Sequence, residues 1–467
     1  MQAHPAGPRH AQMAPEIQTP VPVVDPTRSH VWPESAQRAV NGELQIGGAG
    51  VIQLAAEYGT PLFLFDENDI RERAQEFAKS YLAENEHGTV YYAAKAFLSV
   101  AVAQWVAEEG LGIDVASGGE LAVAIRAGIP GEKLLMHGNN KSESEILAAL
   151  DYGVGRIVID SFDEIVRVAA IAADLNLVAK VLVRAIVGVE AHTHEFIATA
   201  HEDQKFGLSV QEGDVEEAVR RIAKLPSLHF VGLHSHIGSQ IFDAAGFEIA
   251  ATRVVSAAYS IYDKQGIECQ ELNLGGGMGI AYLPEDDPLS VGAMARQIRE
   301  IVIRECQNVG IPIPALCFEP GRAIVGRAGI TLYEVGTVKK VILDHGERTY
   351  ISVDGGMSDN IRTALYGAQY SVALVSRSST ANQILCRVVG KHCESGDIVV
   401  RDAWLPSDLT PGDLIAVAAT GAYCRSMASN YNQVPRPPVV SVREGKSQLI
   451  LRRETFDDLL ALDPFAG

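Results

Sequence analysis

Short apolar stretches recur at an almost even spacing in the first half of the chain, and they constrain its fold more than any other feature. They begin near Thr89, Gly112, Leu134, Arg156 and Val178, about 22 residues apart. Helix-like stretches separate them, at 98–109, 120–127, 142–152 and 162–175. Strands and helices that alternate at this spacing predict βαβ units and a parallel sheet.

Three more apolar stretches follow at wider intervals, at 230–234, 271–274 and 315–318, with helix-like stretches at 254–265 and 293–309. Eight parallel strands with helices outside them predict a (β/α)8 TIM-like barrel. The long connection at 189–207 is interpreted as an inserted loop over the barrel mouth. Long connections in a compact domain usually have a function.

The sequence changes in character after Arg327. Short alternating stretches replace the helix-like ones, at 330–341, 350–353, 371–375, 383–391, 414–418 and 439–442. They predict a C-terminal antiparallel β-barrel or sandwich domain, which we expect the first strand region, near residues 44–65, to join. The predicted organisation is a disordered extension at 1–32, an N-terminal segment of the β domain at 33–64, the barrel at 65–328 and the β domain at 329–467.

Composition excludes several classes of partner. The net charge of −19 argues against nucleic acid and anionic membranes as partners. No stretch of about 20 apolar residues predicts a membrane span, and the first residues lack the apolar region of a signal peptide. The six cysteines form no CxxC pair and no zinc-like spacing, so we expect no metal site and a reducing, cytoplasmic location.

Polar residues lie at or near the carboxyl end of each predicted barrel strand. They are Lys95, Asp114, 137–140, 160–161, Arg184, 234–239, 275–277 and 319–322. Barrel enzymes keep their catalytic groups on the face where these strand ends meet. A polar group from each of eight strands therefore predicts an active site there.

Two of these strand ends indicate the chemistry. Lys95 follows an apolar strand, where a lysine can pair with an anion or, once neutral, attack a carbonyl group. A lysine that reaches out to solvent is the alternative interpretation. The glycines at 275–277 let backbone N–H groups approach a phosphate, although a tight strand-to-helix turn would also explain them.

Glu319 lies on an otherwise apolar strand and needs a partner if it is buried, which a ligand cation or Arg322 could provide. His234 and His236 point to the same side of their strand, so one could face a ligand while the other packs in the core. Ser239 could add a hydroxyl donor to a phosphate site.

The motifs at 92–96, 236–239, 275–277 and 319–322 resemble those of the pyridoxal-phosphate-dependent decarboxylases of the alanine racemase/ornithine decarboxylase fold. The motifs of the second half narrow this resemblance to the diaminopimelate decarboxylase family. They are 357–366, 393–397 and 421–423, together with 137–141 and 204–207 in the barrel. The resemblance runs from about residue 45 to the end.

The resemblance implies that pyridoxal 5'-phosphate is held by Lys95, His236, Ser239, Gly277, Glu319, Gly321, Arg322 and Tyr423. In that family Lys95 corresponds to the lysine that carries the cofactor covalently, and His236 to the imidazole that stacks on its ring. Glu319 corresponds to the acid beside the ring nitrogen. The other members of the set correspond to residues around the phosphate or, for Tyr423, to a tyrosine that also reaches the cofactor.

The resemblance also implies that the substrate is bound by Arg322, Arg362, Tyr366, Glu394 and Tyr423. The arginines and Tyr366 correspond to residues that bind the distal carboxylate, and Glu394 to the one that pairs with the distal ammonium. A surface ion pair with Asp359 is the alternative for Arg362. Cys393 corresponds to the catalytic proton donor, with a buried, inert cysteine as its alternative.

The implied function is the decarboxylation of meso-2,6-diaminopimelate to L-lysine and CO2, the last step of lysine biosynthesis. The family forms head-to-tail homodimers in which Cys393 and Glu394 would serve the neighbouring subunit's site. The alternatives are a decarboxylase of arginine, ornithine or carboxynorspermidine, or an inactive homologue that binds a protein. A barrel aldolase with a lysine Schiff base is also open, but it would leave Cys393 and the β domain without a role.

Overall fold

The computed structural model describes residues 30–83, 85, 87–188, 205–343 and 346–466. Most of the predicted extension, and residues 189–204 of the predicted inserted loop, lie outside these ranges. Val31 and Trp32, which the sequence assigned to the extension, are buried. The Trp32 carbonyl accepts a hydrogen bond from Arg327 Nε at 2.7 Å, so these two residues pack with the β unit.

The chain forms two compact units. The β unit comprises the chain up to Ile70, Ile280–Asp286 and the chain from Val325, and the barrel unit comprises Arg71–Gly279 and Asp287–Ile324. The predicted barrel boundaries, 65–328, differ from these at both ends. They also include Ile280–Asp286, which groups with the β unit.

The elements before the barrel belong mainly to the β unit. They are β1 (Gln37–Arg38), β2 (Leu44–Ile46), β3 (Ala49–Gly50), α1 (Val51–Tyr58), β4 (Leu62–Asp66) and α2 (Glu67–Leu82). Strands β1 to β3 form a small antiparallel sheet. All five residues of β4 are buried, as expected for a strand inside a larger sheet.

The strands of the barrel unit begin where the apolar spacing predicts. They are β5 (Thr89–Ala93), β6 (Gly112–Val115), β7 (Leu134–Met136), β8 (Arg156–Ile159), β9 (Ala179–Ile186), β10 (Leu208–Ser209), β11 (Leu228–His234), β12 (Glu271–Asn273) and β13 (Ala315–Phe318). Without the short β10, which pairs at the edge of β9, the strands close in the order β5-β6-β7-β8-β9-β11-β12-β13, and β13 pairs with β5. Every ladder is parallel, so the predicted (β/α)8 barrel is confirmed.

The helices of the barrel unit connect these strands. They are α3 (Val100–Glu108), α4 (Gly118–Arg126), α5 (Glu143–Tyr152), α6 (Phe162–Asp174), α7 (Asp214–Ile222), α8 (Ala245–Gln265), α9 (Val291–Val309) and the short α10 (Arg322–Val325) that crosses the unit boundary. Helix α7 was not predicted, because no helix was assigned between the insertion at 189–207 and the strand at 230–234. Its buried residues, Val215, Ala218, Val219 and Ile222, have the spacing of a helical face.

Serine side chains fix where several of these helices begin. Ser99, Ser117, Ser142, Ser161 and Ser290 each accept a hydrogen bond from the backbone N–H three residues later. Such caps satisfy N–H groups that have no partner inside the helix. The first four begin their helices within a few residues of the preceding strand, so the turns that carry polar residues there stay short.

The second half of the chain supplies most of the β unit. Its elements are β14 (Gly329–Leu343), β15 (Gly346–Val353), α11 (Arg362–Tyr366), β16 (Val372–Leu374), β17 (Gln383–Val389), β18 (Ile398–Pro406), β19 (Leu414–Val417), β20 (Val439–Arg443), β21 (Lys446–Leu451) and α12 (Phe456–Leu460). The main sheet has the order β18-β17-β15-β14-β4-β20-β21, and β19 pairs with β14 and β16. Of the 44–65 region that was expected to join this sheet, β4 does so, since it pairs with both β14 and β20, whereas β2 and β3 lie in the small separate sheet.

The predicted antiparallel domain also contains two parallel ladders. β15 pairs with β17, and β20 with β4, in parallel. Parallel neighbours need a long connection, and the chain between β15 and β17 carries α11 and β16. The strand prediction also missed β18 and β21.

The six cysteines all lie in the described ranges, and each is a free thiol. Within those ranges no helix is both long enough and apolar enough to cross a membrane.

Candidate active site

The predicted polar residues of the barrel unit gather where its strands end. Lys95 is exposed in a single 3₁₀ turn, Ala94–Ala96, directly after β5. Asp114 lies on the neighbouring β6 and is 3% exposed. The positive charge of Lys95 acts on both groups: it partly offsets the rise that burial and Glu319 cause in the pKa of Asp114, and it adds to the fall that burial causes in the pKa of His236.

The carboxylate of Glu319 lies at the centre of a buried hydrogen-bond network. Its Oε1 accepts from His137 Nε2 at 2.8 Å and from Asn273 Nδ2 at 2.8 Å. Its Oε2 lies 3.4 Å from His234 Nε2, and the two imidazole rings meet edge to face. Three strand ends and the turn after β13 thus fix one carboxylate, although the sequence suggested only a ligand or Arg322 as its partner.

The network sets the charge of its members. Burial would raise the pKa of Glu319, but His137 and His234 outweigh burial and hold that pKa well below its usual range. Burial lowers the pKa of His137 and takes that of His234 to about 4. At neutral pH the site therefore holds an ionised carboxylate between neutral imidazoles.

Asp114 has the opposite character. Burial, followed by the negative charge of Glu319, raises its pKa well above the usual value. Its Oδ2 is buried and makes no hydrogen bond to any residue that the structure describes. A buried polar atom without a partner is costly, and at a functional site a ligand group could satisfy it.

The glycines after β12 form a narrow turn against the neighbouring strand ends. Gly275 and Gly277 have φ values of +67° and +111°. A Cβ atom at Gly276 would lie 2.1 Å from the Glu319 carbonyl oxygen, and one at Gly277 would lie 2.6 Å from that of Gly238. Side chains are therefore excluded, and the backbone is exposed to close approach by a ligand such as a phosphate.

His236, Ser239 and Arg322 lie beside this turn. His236 Nδ1 accepts a hydrogen bond from the Gly276 N–H at 3.3 Å. Burial and then Lys95 lower the pKa of His236 well below its usual value, so the ring is neutral. Arg322 Nη2 donates to Ser239 Oγ at 3.0 Å. The side chains that contact the Glu319 carboxylate are those of His137, His234 and Asn273, so the suggestion that Arg322 could be its partner is wrong.

These groups fit a pyridine ring that carries a phosphate and an aldehyde. Lys95 is an exposed amine, Glu319 is an ionised acid, and the glycine turn with Ser239 offers phosphate donors. Among the described residues, His137, His234 and Glu319 also place one potential metal ligand atom each within 4.8 Å of the others. Those atoms already face each other in hydrogen-bond contact, so a cation would have to replace these contacts.

Two other residues predicted at the barrel mouth, Asp160 and Arg184, contact each other and neighbouring protein residues. Arg184 Nε lies 3.8 Å from Asp160 Oδ1, and its guanidinium stacks over the Phe206 ring at 4.4 Å. Asp160 Oδ2 accepts from the Gly207 N–H at 2.9 Å. This pair therefore holds the last residues of the predicted insertion, Phe206 and Gly207, against the barrel.

In the β unit, Arg362 is 4% exposed at the start of α11. Its Nη1 donates to the hydroxyl oxygens of Tyr282 at 3.0 Å and Tyr370 at 2.5 Å. The alternative of a surface ion pair with Asp359 is wrong. Asp359 is itself buried and accepts from Tyr333 Oη and the Gly356 N–H.

The remaining predicted residues of the β unit lie on α11 and on two loops. Tyr366 is half-buried at the end of α11. Cys393 and half-buried Glu394 follow β17, and Cys393 is exposed, so the alternative of a buried cysteine is wrong. Tyr423 follows β19 with φ +63°, an unusual conformation for a bulky residue that structures tend to keep at functional sites.

Residues 67–326 match the family described as "Pyridoxal-dependent decarboxylase, pyridoxal binding domain". This chain belongs to the pyridoxal-dependent decarboxylases. The cofactor predicted for it, pyridoxal phosphate, is the one that defines this family.

Characterised relatives narrow the similarity. The chain is 55% identical to a diaminopimelate decarboxylase of Mycobacterium leprae, over 99% of this chain and 100% of the relative. It is 57% identical to that of Mycobacterium tuberculosis strain H37Rv, over 93% and 98%. A solved diaminopimelate decarboxylase from M. jannaschii with L-lysine matches with a TM-score of 0.86 and 30% identity, over 92% and 98%. The resemblance drawn from the motifs is confirmed.

Sequence reasoning noticed several strand-end residues without finding their partners. His137 and His234 were recognised at strand ends, and Asn273 was not singled out. A sequence shows which side chains can reach the mouth, but not which pairs meet across the barrel. Tyr282 and Tyr370 were also missed, because no motif links them to Arg362.

Proposed function

We propose that this chain removes CO2 from meso-2,6-diaminopimelate and yields L-lysine, the last step of lysine biosynthesis. The observation that carries the proposal is the full-length similarity to the mycobacterial diaminopimelate decarboxylases. The solved relatives from M. jannaschii and Helicobacter pylori were crystallised with L-lysine, the product of that reaction. The buried network around Glu319 supports a working site.

The barrel residues hold the cofactor in this proposal. Lys95 carries it through its amine, His236 stacks on the ring, and Gly277, Ser239, Gly321 and Arg322 surround the phosphate. When bound, pyridoxal phosphate supplies the electron sink for the bond between Cα and the departing carboxylate. The ionised Glu319 keeps a proton on the ring nitrogen, because a carboxylate favours a positive charge beside it.

The β-unit residues bind the rest of the substrate in this proposal. Arg362, Tyr366 and Arg322 bind the distal carboxylate, and Glu394 pairs with the distal ammonium. Tyr423 contacts both cofactor and substrate. A guanidinium left without its carboxylate would lose hydrogen bonds in a buried site, so substrates that lack this group should bind poorly.

Cys393 is the proposed donor of the proton that replaces CO2. Its exposure suits a group that must reach a substrate. We further propose a head-to-tail homodimer in which Cys393 and Glu394 serve the partner's site, and a cytoplasmic location in keeping with the free thiols. Both rest on the resemblance and on the cysteine pattern.

The experiment is a CO2-release assay with purified protein and added pyridoxal phosphate. CO2 should be released from diaminopimelate and not from L-lysine, arginine, ornithine or carboxynorspermidine. Faster release from one of those amines would replace diaminopimelate with another basic substrate. Cofactor binding with no release from any substrate would favour an inactive homologue that acts by binding a protein.

A further inference from the structure

Two tyrosines outside the proposed substrate-binding set surround the Arg362 guanidinium. We propose that Tyr282 and Tyr370 are positioning residues, which turn the Nε and Nη2 edge of Arg362 toward the substrate's distal carboxylate. This inference rests on the proposed function and specifies how the distal carboxylate is selected. Neither tyrosine belongs to the motifs of the family resemblance.

The hydrogen bonds of Arg362 are divided unequally over its guanidinium. Nη1 has two N–H bonds, and both are used, one by Tyr282 Oη at 3.0 Å and one by Tyr370 Oη at 2.5 Å. Nε and Nη2 make no hydrogen bond to any residue in the described ranges. These two atoms form the edge of an arginine that binds a carboxylate through two parallel N–H bonds.

The kind of partner also matters. Phenol oxygens are neutral acceptors, so they fix the buried guanidinium without cancelling its charge. A protein carboxylate in their place would compete with the substrate for the cation. Within the described residues no carboxylate lies within ion-pair distance of Arg362, and Asp359 is held by Tyr333 and Gly356 instead.

The two phenols are themselves fixed. Their rings meet edge to face at 5.3 Å and 89°, and the Arg362 guanidinium lies 5.1 Å and 5.6 Å from their centroids. The Tyr282 carbonyl accepts from the N–H and hydroxyl of Ser371, at 3.2 Å and 2.8 Å. Because Ser371 follows Tyr370, the backbones that carry the two rings are joined.

The proton of Tyr370 has a place to go as well. Burial raises the pKa of Tyr370 well above its usual value, so the phenol stays protonated. Its oxygen lies 3.6 Å from Cys424 Sγ, and the hydroxyl can donate there while its lone pair accepts from Arg362. The two uncharged phenols therefore hold Nη1 of Arg362 in place without neutralising the guanidinium.

The test compares two ligands that differ only in the distal carboxylate. L-Lysine has it, and 1,5-diaminopentane is the same molecule without it. Calorimetry on the holoenzyme should show that Tyr370→Phe and Tyr282→Phe each weaken L-lysine binding about tenfold, the order expected for a hydrogen bond to a charged group. Binding of 1,5-diaminopentane should stay within about twofold, and KM for diaminopimelate should rise far more than kcat falls.

The matched control is Tyr152→Phe. Tyr152 donates one hydrogen bond to the Ile129 carbonyl at 2.8 Å in the barrel unit. The Tyr152→Phe variant therefore loses a hydrogen-bonded phenol hydroxyl that does not contact Arg362. This variant should bind both ligands as the wild type does. Circular dichroism should show that all three variants are folded. If only one of Tyr282→Phe and Tyr370→Phe folds, that variant by itself is enough to test the inference.

Equal weakening of both ligands by either variant would show a general structural role and overturn the inference. The inference would also be overturned if the wild type decarboxylates diaminopimelate and both variants bind L-lysine as tightly as the wild type does. A wild-type holoenzyme that releases no CO2 from diaminopimelate would instead overturn the proposed function, and the inference with it. The release assay separates these two failures.

Discussion

His234 predicts a specific pH dependence of the stability of the cofactor-free protein. Its ring is 1% exposed, its Nε2 faces Glu319, and its Nδ1 has no hydrogen-bond partner in the described residues. A second proton would therefore be added to a buried ring with little to stabilise it. The perturbation is a fall in pH from 7 to 5, compared between the wild type and His234→Gln.

The magnitude follows from the shifted pKa. Burial, the largest cause, takes the pKa of His234 to about 4, and an unfolded histidine titrates near about 6.5. Between about pH 6.5 and 4 His234 binds a proton in the unfolded chain but not in the folded protein. The free energy of unfolding therefore decreases as pH falls toward about 4. Linkage gives a loss of about 2 kcal/mol between pH 7 and 5.

Other groups make the comparison with a variant necessary. His137 and His236 also have lowered pKa values and change stability in the same direction. Asp114 and Asp359 have raised pKa values, the latter about 7, and they favour the folded state as pH falls. Most of these contributions are shared by both proteins, so the difference between them reports mainly on His234, whose ring senses Glu319, His137 and Arg184.

The assay is equilibrium urea unfolding of the apoprotein at both pH values. Glutamine can still donate to Glu319 but does not titrate, so His234→Gln should lose about 2 kcal/mol less than the wild type between pH 7 and 5. The control is His229→Gln, because His229 is exposed on the same strand, β11. Identical pH dependence of wild type and His234→Gln would refute the reasoning.

Three further predictions concern the barrel unit and the proton donor. Lys141→Met should destabilise the protein by about 3–5 kcal/mol, because it removes the buried partner that lies 3.0 Å from the Glu164 carboxylate. Thermal unfolding of this variant and of the double variant Lys141→Met/Glu164→Gln would check this, since the double variant should recover part of the lost stability. Glu319→Gln should lower kcat about 100-fold through a weaker hold on the ring proton, and steady-state assays that show unchanged kcat would count against that role. Cys393→Ala should slow turnover strongly while cofactor absorbance is kept, and a full rate would exclude it as proton donor.

The barrel and the position of its active face could be predicted because they depend on local regularities. The even spacing of β5 to β9 is visible in the sequence, and parallel strands place their carboxyl ends on one face. The serine caps on α3 to α6 are local signals as well. Each of these features needs no knowledge of which strands are neighbours.

The partners of Glu319 and Arg362 could not be predicted, because they depend on contacts between distant parts of the chain. Glu319 meets His137, which lies 182 residues away, and Arg362 meets Tyr282, which lies 80 residues away. The parallel ladder of β15 with β17 has the same origin, since alternation of apolar residues shows a strand but not its neighbour's direction. Motif resemblance identified the residues with chemical roles and left out those that hold them in place.

The central claim is that Lys95 carries the coenzyme at the barrel mouth. Borohydride reduction of the holoenzyme, followed by peptide mass mapping, tests it directly because reduction makes the lysine–cofactor bond permanent. We expect the pyridoxyl group on the peptide that contains Lys95, and no label there in Lys95→Ala. A label on another lysine, or yellow colour that persists in Lys95→Ala, would contradict the account.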